Sequence, residues 1–231
     1  MRMTRQLLAV VSLALLSSGC GVNKSIHIAD GETVNGGRAT VNGNVTIGAD
    51  CDVRGGCRTV NGRVSVGAQS KVGGLQTVNG SIKIAEGVSI DGDVGTVNGS
   101  IRLAGNTSVT GDIGTVNGSV GLDSGVTIGE DVSTVNGSIH LTRTEVGGDL
   151  ETVNGSVTLT EGSKVSGNVL IKGKRKGIDK KMTVEITIAD GSVVEGDVIV
   201  RDPKRKVKVI LSGGGKVLGE IENAEIVERD S

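Results

Sequence analysis

The sequence predicts an all-β chain, a single-stranded parallel β-helix (β-solenoid) of about ten coils of 18–19 residues each. Three observations carry that prediction. A tetrapeptide, Thr-Val-Asn-Gly, recurs eight times; the composition suits short strands and tight corners; and the repeat continues, in altered form, almost to the C-terminus.

The tetrapeptide places Asn at 35, 42, 61, 79, 98, 117, 136 and 154, and six of the seven gaps are 18 or 19 residues. The exception, a gap of seven, resolves on alignment. Val22 to Ile28 matches Val97 to Leu103, so Asn23 is the true first member and stands 19 residues before Asn42. The copy at Thr33–Gly36 then falls in a second slot, which elsewhere reads as in Ile90-Asp91-Gly92-Asp93-Val94. Beyond Asn154, Ile186 to Val198 aligns without a gap to Ile82 to Val94, and Val209 to Ile221 supplies one more copy. One coil is about ten residues longer than its neighbours, and the excess is a basic loop at 172–181; a shorter basic excursion follows at 201–206. Polar insertions between regular coils are how solenoids carry loops.

Composition agrees. The 231 residues include 39 Gly and one Pro but no Phe, Tyr or Trp, so aromatic side chains cannot supply the core. Hydrophobic residues still make up 36%, mostly Val, Ile and Leu, which is too many for a disordered chain and suits β-strands. Net charge is −1, so no global field draws nucleic acid, and none is expected as a partner.

Within Thr-Val-Asn-Gly-Ser-Ile-x-Ile, the Val and both later aliphatics are expected inward, with Thr, Ser and x outward. A bend is expected at Asn-Gly, because both residues tolerate left-handed backbone angles. Stacking would align Asn23, Asn42, Asn61, Asn79, Asn98, Asn117, Asn136 and Asn154 into a ladder of hydrogen-bonded amides. A left-handed hexapeptide helix also fits a spacing of 18–19, but irregular gaps and the lack of a six-residue rhythm favour a right-handed coil. Nineteen residues are too few for a propeller blade.

The alternation of Val-x-Gly-Asp-Val with Thr-Val-Asn-Gly-Ser-Ile over Val22 to Ile221 resembles the bactofilins, which are polymer-forming cytoskeletal proteins. It also resembles adhesin-type β-solenoids of bacterial envelopes. The resemblance implies the fold and admits self-assembly as a function. The first twenty residues depart from the bactofilin pattern. Arg2 and Arg5 precede an apolar run from Leu7 to Leu16, the layout of a secretory signal and too short for a membrane span. Leu16-Ser17-Ser18-Gly19-Cys20 resembles a bacterial lipobox, with Ser17 where Leu is preferred. That resemblance implies a signal peptide at 1–19, lipidation of Cys20 and, with Gly21 following, sorting to the outer membrane.

Other constellations have competing readings. Asp93, Asp112, Asp131, Asp149, Asp197 and Glu220 would form an acidic file, serving either as a cation site or as corner residues that bond backbone amides. An outward file of Thr40, Thr59, Thr77, Thr96, Thr115, Thr134 and Thr152 resembles an ice-binding surface in part, or is a structural ladder. Cys51 and Cys57 are an oxidised pair or two buried thiols. His27 and His140 occupy the outward x and lie six coils apart, with no nucleophile–base pattern around either.

The expectation is therefore a non-enzymatic structural or adhesive envelope lipoprotein, with signal 1–19, solenoid 20–221 and a charged C-terminal cap at 222–231. A self-assembling scaffold is the alternative; an enzyme acting on an envelope polymer and an ice-binding surface rank below it. No cofactor or metal is expected. The membrane is reached through the lipid, and further partners are an envelope protein or glycan, or a second copy of the chain.

Overall fold

The computed structural model describes residues 20–173 and 183–229. The expected signal at 1–19, most of the basic loop (174–181) and the last two residues of the cap lie outside those limits. All strands pair in parallel, and they stack as a β-solenoid with three strands to a coil.

The first row holds eleven strands, from Ile26–Ile28 through Val45–Ile47, Val64–Val66 and Ile82–Ile84 to Val207–Ser212 and Glu225–Arg229. The second row begins with Thr33–Asn35 and Asp52–Arg54 and continues through Ser108–Val109 to Lys216–Val217. The third begins with Cys20–Gly21 and Arg38–Thr40 and runs through Cys57–Asn61 and Ile113–Asn117 to Ile221–Glu222. In Lys71–Asn79 and Ser89–Asn98 the second and third rows run on as one long strand, which joins them into a 19-stranded sheet. At about 4.8 Å per coil, ten coils make a rod roughly 48 Å long.

Register follows the repeat. Val34 pairs with Val53 and Val53 with Val72, so the odd copy at Thr33–Gly36 does sit in the second slot. Ile186 pairs with Val157, and Val209 with Ile186, which carries the array across the long insertion without a slip. Beyond Ile221, Glu225–Arg229 adds an eleventh strand to the first row, so the segment expected as a cap is part of the sheet and carries the exposed charges of Glu225, Glu228 and Arg229.

Inside the tube run continuous files of aliphatics. Val45, Val64, Ile82, Ile101, Val120, Ile139 and Val157 form one, and Leu75, Val94, Ile113, Val132, Leu150, Val169 and Val198 another, each at most 1% exposed. No coil could bury these residues alone, so the stability of each coil comes from its neighbours.

Candidate functional site

The Thr-Val-Asn-Gly corner, taken letter by letter, corrects the expected orientation. Thr40, Thr59, Thr77, Thr96, Thr115, Thr134 and Thr152 point inward and are at most 3% exposed, while the neighbouring Val60, Val78, Val97 and Val116 are only half-buried. The reason is parity. Cys57 faces the core, and side chains two apart on a strand share a face, so Thr59 must face it too. Burial is tolerated because each hydroxyl has a partner. Thr59 Oγ1 donates to the carbonyl of Gly43 at 2.8 Å, and Thr77, Thr96 and Thr115 repeat the bond to Gly62, Gly80 and Gly99 at 2.9 Å. The hydroxyl file therefore faces the core and offers no outward array of the kind expected from the sequence.

Gly has an equally local cause, and it is not a left-handed backbone. A Cβ added at Gly62 would lie 2.0 Å from the Gly43 carbonyl oxygen, and one at Gly155 would lie 1.8 Å from that of Gly137. Of the ladder asparagines only Asn23 has positive φ. Most of the left-handed residues instead occupy the corner between the first and second rows, among them Asp50, Gln69, Gly87, Asn106, Gly125, Arg143, Glu161 and Asp190.

On the outside of the corner the asparagines hydrogen-bond in one direction. Asn61 Nδ2 donates to Asn42 Oδ1 at 2.7 Å, and Asn79, Asn98, Asn117, Asn136 and Asn154 each donate to the preceding member at 2.8 Å. Asn42 donates likewise to Asn23. At the far end Arg205 Nη2 donates to Asn154 Oδ1 at 3.2 Å. An arginine can only donate, so this contact fixes the direction of the whole ladder.

Arg205 belongs to the short basic excursion, which leaves the rod at the same corner as the long one, a coil later. The sequence presented these as separate loops; the structure brings the bases of both over the end of the ladder. Gly173 stands where Asn would continue it, and the Arg205 guanidinium fills that gap, its Nη1 only 3.2 Å from where a Gly173 Cβ would be. Burial lowers the Arg205 pKa, with Asp202 opposing, and among the described residues its Nε and Nη1 have no hydrogen-bond partner. Lys172 forms an ion pair with the buried Glu151 beside it.

The acidic file follows the corner reading. Asp93 Oδ1 accepts the Asp112 amide at 3.0 Å, and the pattern runs through Asp131, Asp149 and Asn168 to Asp197 and Glu220 at 2.7–2.9 Å. Asn168 belongs to this file and carried no signal in the acidic pattern, because an amide oxygen fills the role as well as a carboxylate.

Cys51 and Cys57 are both buried, with thiols that are not bonded to each other and stand at different places on their coils. Cys57 stands in the third-row aliphatic file, and Cys51 donates to the Ala29 carbonyl at 3.1 Å from a corner position where the next coil has Ser70. Burial pushes the Cys57 thiol above its ordinary pKa, offset in part by Arg38. His27 and His140 are exposed in the middle of first-row strands. Comparison of the chain with protein-family models, curated proteins and solved structures finds no match to any of them.

Proposed function

We propose that this β-solenoid is a non-enzymatic lipoprotein of the bacterial envelope, a stiff rod anchored at Cys20 that presents its outer faces to an envelope protein or glycan. The observation that carries the reading is the position of Cys20 in the first strand, Cys20–Gly21, where it pairs with Ala39. Lipidation there would place the anchor directly on a strand of the solenoid, and each buried CH₂ of the acyl chains would contribute about 0.8 kcal/mol to anchoring. The regular polar files along the rod support a structural role, since their hydrogen bonds are made to neighbouring coils. Mass spectrometry of the protein from a membrane fraction tests the anchor. Acylated Cys20, with loss from the membrane in Cys20→Ser, is the expected result; an unmodified, soluble chain sinks the reading.

Self-assembly, as the bactofilin resemblance implies, is a second reading with its own observation. Among the described residues, Ile26–Ile28 and Thr33–Asn35 at one end, and Ile221–Glu222 and Glu225–Arg229 at the other, are each paired on one side only, and Leu218 and Ile226 are exposed at the second end. Such edges accept further strands. Against it stand the charges of Glu225, Glu228 and Arg229. Light scattering on the Cys20→Ser chain decides: particle mass that rises with concentration supports assembly, and a constant monomer mass removes it.

A further inference from the structure

Along the outer face of the first row one residue per coil points to solvent: His27, Thr46, Ser65, Lys83, Arg102, Gly121, His140, Thr158 and Thr187, in register from strand to strand. Gly121 alone among them lacks a side chain. Nothing in the backbone requires it. Its φ is not positive, and an added Cβ would find no closer neighbour than Arg102 Nε, at 3.7 Å, an ordinary contact. At the corner glycines the same atom would strike a carbonyl oxygen at about 2 Å. A strand-interior glycine without steric cause marks a place where something else comes close.

The missing side chain leaves a notch of about 260 Å³. Its two ends are Arg102 and His140, about 10 Å apart across two strand spacings, and Ser100, Ser119, Thr142 and Asp123 complete its polar lining. Among the described residues Arg102 makes no ion pair, and neither it nor the His140 ring has a hydrogen-bond partner. Gly95 and Gly114 are also strand glycines that face outward, but their column continues into Gln76 and Ser133, with no cation beside them.

We infer that the notch over Gly121 is a binding site for a hydroxylated oxyanion, a sugar acid or a sugar phosphate. The Arg102 fork matches a carboxylate or phosphate. A ring N–H of His140 and the hydroxyls of Ser119 and Thr142 supply further donors, and Asp123 accepts from ligand hydroxyls while repelling a second negative charge. The chain has no aromatic residue for stacking on a sugar, so charge and hydrogen bonds must do the recognition.

The chain has two histidines, which gives the test an internal control. Glucuronate, glucose 6-phosphate and neutral glucose are titrated at constant pH into the full-length Cys20→Ser chain while the imidazole NMR resonances are followed. Saturable movement of His140 with one or both anions, a still His27 and no response to glucose are expected. Response to one anion alone identifies carboxylate or phosphate as the group read. Arg102→Gln should weaken binding at least about tenfold, and Gly121→Thr, which installs the residue found in this column at 46 and 158, should abolish it. No saturable shift, parallel movement of both histidines, or undiminished binding by Gly121→Thr overturns the inference. Anchoring at Cys20 is read separately, so either proposal can fail without the other.

Discussion

Thr59 has a methyl suited to the core and a hydroxyl that is not, and the Gly43 carbonyl reconciles them. Its inward orientation was legible: once Cys57 is placed in the aliphatic file, period-two alternation settles Thr59, and hydroxyl polarity is the misleading cue. The fate of the cysteines was not legible, because spacing alone does not say that Cys51 hydrogen-bonds across a corner while Cys57 enters another file. For Cys57 the pKa shift has a definite sign. The folded chain holds the thiol proton, while the unfolded chain releases it near the ordinary value of 9.0. Stability from this residue is therefore intact below that pH and declines above it, by at most about 1.4 kcal/mol per pH unit. Cys57→Val, the residue at Val94 and Val132 in the same file, should lose less stability than the parent between about pH 8 and about pH 10. Equal losses in chemical denaturation at the two pH values would show that Cys57 does not titrate across folding.

At the level of the corner and the strand, glycines of identical composition do different work. Gly99 must be glycine because a Cβ would sit 2.0 Å from the Gly80 carbonyl oxygen, whereas Gly121 has room for one. Gly99→Ala is expected to cost about 3 kcal/mol through forced separation of two coils. Gly121→Ala is expected to be neutral or to stabilise by up to about 1 kcal/mol. Urea denaturation of both variants measures the contrast, and similar losses would contradict the packing described. The repeat identified the corners but not which one bends left-handed. The chain does bend at Asn-Gly, but the left-handed angles fall mostly at residues as varied as Asp50, Gln69, Arg143 and Glu161, where no single residue type advertises them.

For the molecule as a whole, self-similarity was enough. Coil count, the displaced first copy and the place of both insertions follow from the 18–19-residue spacing, because each coil must present the same face to its neighbours. The meeting of Arg205 with Asn154 was not legible, since it depends on a side chain reaching across 51 residues of sequence from an irregular segment. That contact bears on any filament built from this chain. The amide column ends at Asn154, with three further strands of the third row beyond it, the last of them Ile221–Glu222. Rods joined end to end would interrupt it once per molecule. A fibre of this protein would therefore diffract with more than the 4.8 Å spacing of stacked strands. It would add an axial repeat of about 50 Å, one rod length, that distinguishes an assembly of folded monomers from a uniform cross-β fibre.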